Sequence, residues 1–232
     1  SGSVDTYFKR NIGAPSKSFE DANGEPYFIS PATAFANRNG FGLGMANLIA
    51  SYEGEKVGFV ADLGFGPRAE DAVFLSVGSS NIVNQLYMFW NVSDNVKLTI
   101  GNFNTFLGYE VISPLGNFNY STSYLFSSGP FSHVGLKADF ALSEDFSLML
   151  AVMNPTDTNN NATGDYGFGA QLGYSGQYLN LYYDNDSVLG FEIDYTGGFD
   201  LSDSFFLGIN GAYQVSDDAG FYGAALYPQL TT

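Results

Sequence analysis

The chain has 232 residues, 24 of them acidic and 8 basic, which gives a formal net charge of −16. Because phosphate binding needs clustered Lys and Arg, this charge excludes a nucleic-acid partner. Cysteine is absent, which excludes disulfides and thiolate metal sites, and the charged fraction of 14% is low against the usual value of about 25% for soluble domains.

Alternation of apolar and polar residues is the clearest local pattern. In residues 57–66 every odd position holds a large apolar residue or Ala, with mostly Gly or Asp between, and residues 133–142 repeat this pattern. A strand points successive side chains to opposite faces, so each segment has one apolar and one polar face. Segments of about ten such residues separated by turns are typical of transmembrane β-barrels.

Twelve strands are predicted in chain order, at residues 3–10, 41–53, 56–66, 81–92, 96–106, 130–142, 146–154, 165–175, 178–184, 188–198, 205–215 and 219–228. The connections alternate between short polar turns and mostly longer loops, as in outer-membrane barrels. The short turns are 54–55, 93–95, 143–145, 176–177 and 199–204; the long loops include 11–40, 67–80, 107–129 and 155–164. The sequence therefore predicts one all-β domain over 1–232, an antiparallel up-and-down transmembrane β-barrel. We expect twelve strands in this chain and twelve or more in the full protein.

The predicted outward face is apolar on strand after strand. Typical outward residues are Leu86, Met88 and Trp90 on the fourth strand and Phe146, Leu148, Leu150 and Val152 on the seventh. On the tenth strand, Leu189, Phe191, Ile193 and Tyr195 are expected to face lipid in the same way. Such a surface suits lipid contact.

The predicted inward face is polar and carries both signs of charge. Its charged candidates for pore lining are Asp62, Lys97, Lys137, Asp139, Glu192 and Asp194. Charges in a water-filled pore set its ion preference, so the acidic excess suggests a mild preference for cations. Two alternatives stay open: many acids only solvate external loops, and Lys97, Lys137 and Asp139 pair across strands as structural struts.

Residues 107–129 are predicted to form the most informative loop, since they are rich in Tyr, Phe, Asn and Ser and hold one charge, Glu110. Such a loop suits packing against a wall better than solvation, and long ordered loops often narrow or plug a barrel. The residues expected to build this constriction are Tyr109, Glu110, Asn117, Asn119, Tyr120 and Tyr124. The alternative is an external cap on neighbouring loops or on a partner protein.

The sequence contains no motif that indicates a catalytic site. The single histidine, His133, has no nucleophile motif nearby, and Gly-x-Ser-x-Gly does not occur. We expect no catalytic residue, no metal, no cofactor and no enzymatic activity.

Several stretches of the chain carry a family resemblance. They are residues 101–110, 116–126 and 129–138, and residues 61–70, 85–87 and 154–157 also fit. The block from Asn119-Tyr120-Ser121 to Gly129-Pro130-Phe131 is the specific part, and the rest is general hairpin character. Together they resemble the OmpL-like β-barrel porins of Gram-negative outer membranes. The resemblance covers roughly residues 56–157, and it implies an outer-membrane barrel with porin-like activity.

The leading hypothesis is a bacterial outer-membrane porin that lets small hydrophilic solutes diffuse passively. Its surroundings would be outer-membrane lipid and lipopolysaccharide. The main alternative is a plugged barrel that serves as an accessory subunit, docked on other outer-membrane proteins. A third possibility is a soluble sandwich or lipocalin-like binder, although so few charges are unusual for a soluble surface.

Overall fold

A computed structural model of the protein describes residues 1–10, 12, 17–20, 22–24, 26–29, 33–36, 39–73, 76, 78–185, 189–216 and 219–231. The strands are β1 (Gly2–Lys9), β2 (Lys17–Glu20), β3 (Pro26–Ile29), β4 (Gly40–Glu53), β5 (Val57–Phe65), β6 (Val83–Ser93), β7 (Val96–Asn104), β8 (Ser132–Ala141), β9 (Phe146–Met153), β10 (Gly167–Tyr174), β11 (Gln177–Tyr183), β12 (Phe191–Ser202), β13 (Phe205–Val215) and β14 (Gly220–Leu230).

Across the described residues, twelve of these strands form one antiparallel sheet in the order β1-β4-β5-β6-β7-β8-β9-β10-β11-β12-β13-β14. Each strand pairs with the next one along the chain, except that the separate β2-β3 hairpin lies between β1 and β4. The prediction of twelve antiparallel up-and-down strands is confirmed. Direct hairpins need only local pairing, which explains why strand alternation was sufficient to find them.

The connections contain short elements that alternation did not reveal. The loop after β5 holds helix α1 (Pro67–Ala72) and a 3-10 turn (Gly78–Ile82), and the loop after β7 holds helix α2 (Tyr124–Ser128). The predicted loop 11–40 contains the β2-β3 hairpin, and its residues 11, 13–16, 21, 25, 30–32 and 37–38 lie outside the described residues. None of the described helices is long and apolar enough to span a membrane.

One predicted turn is wrong in length. The expected turn 199–204 reduces to Asp203 and Ser204, because β12 continues to Ser202 and pairs with β13 as far as Phe205. The register shifts between Asp200 and Ser202, which breaks the alternation at the end of β12.

The two faces of the sheet differ as the sequence predicts. On the outer face Met88, Leu150 and Phe168 are 61%, 47% and 53% exposed, whereas on the opposite face Thr99 and Asp194 are 3% and 1% exposed. A water-soluble sheet would bury the first group, so this distribution fits a sheet with lipid outside and packed polar groups inside. Leu189 is an exception: it precedes β12, is buried and packs with Phe103 and other residues, so its predicted lipid contact is wrong.

Short turns gather at one end of the sheet, here the turn end, and the longer connections gather at the other, the loop end. Two apolar clusters lie at the loop end. One joins Phe35, Met45 and Ile112 with residues of α1 and α2, and the other joins Phe103 and Leu107 with residues of β9 and β11. The loop end is therefore packed.

Candidate pore lining and constriction

Residues 105–131, here called the inner loop, leave β7 and return to β8, yet they contact strands far along the sheet. The backbone N–H of Gly108 donates to Asp194 Oδ1 on β12 at 3.0 Å. The ring of Tyr109 stacks on that of Tyr227 on β14, with centroids 4.8 Å apart. The face that carries these contacts is the inner face of the sheet.

The same loop also reaches the strand at the other end of the sheet order. The hydroxyl of Tyr120 donates to Asp5 on β1, and its ring centroid lies 5.7 Å from that of Tyr7. Burial raises the pKa of Tyr120, and the hydrogen bond to Asp5 raises it further. The inner loop therefore crosses the inner face and contacts both β1 and β14, the first and last strands of the sheet.

Glu110, the one charged residue of the inner loop, is 6% exposed. Its carboxylate accepts hydrogen bonds from the backbone N–H of Ser123 at 3.0 Å, from the Ser123 hydroxyl, and from the Tyr227 hydroxyl at 2.9 Å. A buried carboxylate needs such donors. Glu110 is thus used to fix the loop to itself and to β14.

Arg68 of α1 holds the inner loop from the loop end. It is 3% exposed; its Nε donates to the Ile112 carbonyl at 2.7 Å and its Nη1 to the Tyr120 carbonyl at 3.1 Å. The guanidinium also lies 4.5 Å from the ring centroid of Phe35, a cation–π distance. Burial lowers the pKa of Arg68. The sequence pattern did not single out this residue, although Pro67 beside it is a recognisable helix start.

The other three residues predicted for the constriction are Asn117, Asn119 and Tyr124. Asn117 exchanges hydrogen bonds with the backbone N–H and carbonyl of Val111 at 2.8 and 2.7 Å, and so it shapes the loop. Asn119 is exposed, and Tyr124 is 63% exposed. Of the six residues predicted for the constriction, only Tyr109, Glu110 and Tyr120 contact strands of the sheet through the contacts described above.

Acidic residues of the inner face at the loop end are buried and hydrogen-bonded. Asp194 accepts from Asn180 Nδ2 at 2.7 Å and from Asn210 Nδ2, in addition to Gly108. Asp62 likewise accepts from two asparagine side chains, at 3.3 and 2.6 Å. Glu192 is 2% exposed, and its Oε2 has no hydrogen-bond partner among the described residues.

Lys97, Lys137 and Asp139 occupy a different environment, a cavity of about 560 Å³ on the inner face of β4 to β8. Lys137 Nζ lies 3.2 Å from Asp139 Oδ2, and both side chains are partly exposed. A second cavity of about 690 Å³ continues from there to the turn end, lined by turn residues such as Lys56 and Asp94. The predicted site residues thus separate into a packed group at the loop end and an open group towards the turn end.

Comparison with known families agrees with this architecture. No curated protein and no solved structure matches the chain. The sequence model of the family described as "Putative beta-barrel porin-2, OmpL-like" matches residues 1–232, the whole chain. Porin-like barrels are generally non-enzymatic, and the family implies an outer-membrane location. The chain belongs to the OmpL-like β-barrel porin family.

Proposed function

We propose that this protein is a porin of a Gram-negative bacterial outer membrane that lets small hydrophilic solutes diffuse passively. The proposal rests on the open cavity of about 560 Å³ on the inner face. Its lining includes Gln85, Tyr87, Lys97, Lys137 and Asp139. The outer face of the same strands presents exposed apolar side chains. Lipid would cover that face, and lipopolysaccharide would surround the loop end.

The inner loop is the proposed constriction. It crosses the inner face from β7 to contacts on β12, β14 and β1, so a solute that moves from the loop end to the turn end has to pass it. Its contacts include both hydrogen bonds and stacked rings, which suits a fixed narrowing better than a mobile lid.

Ion preference is proposed to be mildly cationic and weak. Asp62, Glu110 and Asp194 are buried and accept several hydrogen bonds each, so they have little exposure to passing ions. In the open cavity the charged lining residues are two lysines and two acids, Glu53 and Asp139. Only the overall acidic excess of the chain then favours cations.

Single-channel recording tests the proposal. Protein folded in detergent and reconstituted in a planar bilayer should give stable ohmic steps, with a small cation-shifted reversal potential under a KCl gradient. A variant with residues 109–125 replaced by a short Gly-Ser linker should conduct more, because the constriction is gone. A matched linker replacement of residues 159–164, in the loop after β9, should leave the conductance near that of the parent protein.

A plugged accessory subunit is the second candidate. It is favoured by the apolar cluster at the loop end, in which Phe35, Ile112, Phe126 and Phe131 pack together below one-tenth exposure. A folded barrel that stays silent in bilayers and co-purifies with a stoichiometric outer-membrane protein would support it. Conductance of the isolated protein would contradict it.

A further inference from the structure

The open cavity of the inner face is unusual in this acidic chain because of its lysines. The whole sequence has 8 basic residues against 24 acidic ones, yet two of the basic residues, Lys97 and Lys137, line this cavity. They lie on neighbouring strands: Lys97 of β7 is the register partner of Asp139, and Thr99 of β7 is that of Lys137.

The two lysines differ in their partners. Lys137 Nζ lies 3.2 Å from Asp139 Oδ2, so most of its charge is compensated locally. Lys97 faces the same carboxylate across the strand pair but forms no ion pair within the described part of the chain. Its Nζ instead lies 5.0 Å from the ring centroid of Phe89 on β6. A cation–π contact attracts the ammonium without supplying a counter-charge, and Lys97 is exposed and lines the cavity.

Other acids lie near Lys97, but none forms an ion pair with it in the part of the chain that the structure describes. Glu53 lines the same cavity from β4, and Glu55 and Asp94 line the cavity of about 690 Å³ together with Lys97. Asp139, its partner across the strands, pairs with Lys137 instead. An anion near Lys97 would therefore contact an ammonium that no carboxylate holds in an ion pair.

The rest of the lining suits an organic solute better than a bare ion. A volume of about 560 Å³ lies within the range of small-molecule sites, roughly 300–1,000 Å³. Val60, Tyr87 and Phe103 give the cavity apolar surface, and Gln85 and Asn104 give it amide groups. Such walls contact the body of a molecule, and the ammonium contacts its charged end.

We infer that this cavity is a binding site for small organic anions, in which Lys97 contacts the carboxylate or equivalent anionic group of the ligand. The inference rests on the proposed function, since it names a class of solute for the same pore. Lys97 is then a specificity-determining residue, and the anions held there cross more readily than the charge of the whole chain suggests.

Binding is tested first because it does not depend on conduction. Butyrate and its uncharged analogue butyramide are titrated into the detergent-folded protein, and binding is followed by saturation-transfer NMR of the ligand. Butyrate should bind the parent protein, and Lys97→Gln should weaken it about fivefold, the effect of one ammonium near a carboxylate in water. Butyramide, which carries no charge, should give the same weak saturation-transfer signal with the parent protein and with Lys97→Gln. Arg10→Gln, which removes the same charge from an exposed position after β1, is the control and should bind butyrate as the parent does.

Permeation is tested in the same proteins by bi-ionic potentials, with KCl on one side of the bilayer and potassium butyrate on the other. The permeability of butyrate relative to chloride should fall in Lys97→Gln and not in Arg10→Gln. Equal butyrate binding by the parent and Lys97→Gln would overturn the inference even if the channel conducts. Silent bilayers with Lys97-dependent binding would overturn the porin function and leave the anion site standing.

Discussion

The loop end and the turn end of the inner face use charged residues in opposite ways. At the loop end Asp194 and Glu110 are almost fully buried and accept hydrogen bonds from several donors. Towards the turn end Lys137 and Asp139 are partly exposed beside an open cavity. The charges of the first region position the inner loop, and those of the second are open to solvent. The same residue types therefore position a loop where they are buried and remain open to solvent where they are not.

The largest expected effect comes from the loop end. Asp194→Ala should lower the free energy of unfolding by about 3 kcal/mol, because it leaves the Asn180 amide and the N–H of Gly108 without this acceptor and removes one of the two acceptors of Asn210 Nδ2. Urea unfolding of the lipid-folded protein, followed by fluorescence of Trp90, the only tryptophan, measures it. Asp139→Ala is the control and should cost less than about 1 kcal/mol. If Asp194→Ala and Asp139→Ala lowered the free energy of unfolding equally, the proposed difference between the loop end and the turn end would be wrong.

Arg68 offers the next largest effect. Arg68→Gln should cost about 2 kcal/mol and expose the inner loop, because the Ile112 and Tyr120 carbonyls lose a charged donor. Limited proteolysis and hydrogen exchange should both report faster opening within residues 105–131. Arg10→Gln, which changes an exposed arginine in the same way, should leave both rates unchanged. Unchanged exchange of the inner loop in Arg68→Gln would show that its other contacts are sufficient.

We expect the free energy of unfolding to depend on pH through Asp157, which lies at the loop end. Burial raises the pKa of Asp157 to about 6, although the backbone N–H groups of Phe131 and Ser132 donate to it at 2.8 and 2.9 Å. A raised pKa in the folded state means that protonation favours folding, so the contribution is complete below the unfolded pKa near 4 and is lost as the pH rises through about 6.

Acidification from pH 7.5 to 5 should therefore stabilise the parent protein by about 1 kcal/mol more than Asp157→Asn, which keeps an acceptor oxygen but does not titrate. Urea unfolding at the two pH values makes the comparison. An identical pH response in both proteins would exclude Asp157 as the titrating group.

The smallest effect concerns that pair. A double-mutant cycle with Lys137→Ala and Asp139→Ala should give a coupling of about 0.5 kcal/mol, as is usual for partly exposed ion pairs. Unfolding free energies of the four proteins measure the coupling. A coupling above about 2 kcal/mol would place this pair with the packed charges of the loop end.

Strand positions were predictable because each hairpin pairs neighbours in sequence and one face of the sheet exposes apolar side chains on strand after strand. The alternation of apolar and polar residues in β5 and β9 therefore appears in the exposed fractions of most of their side chains. Leu189 was misplaced because it continues the alternation of β12 but lies before that strand, where Phe103 and Leu107 surround it. Alternation alone does not indicate where a strand begins.

The candidate site was predictable only in outline. Aromatic composition and the single charge of residues 107–129 indicated a packed loop, and Tyr109, Glu110 and Tyr120 do contact the sheet. The partners of the loop could not be read from the sequence, because Tyr227 is 117 residues from Glu110 and Asp5 is 115 residues from Tyr120. Such contacts depend on how the sheet curves, which no local pattern encodes.

The sequence by itself determined the all-β class, the twelve strands and the outward apolar face, since these follow from period-two patterning and short-range pairing. The tertiary structure decided which charges are buried and which face an open cavity. Asp194 and Asp139 have the same side chain and both point inward, but the inner loop covers one and leaves the other exposed. Desolvation is a property of the assembled fold, and it determines whether a carboxylate positions a loop or remains open to solvent.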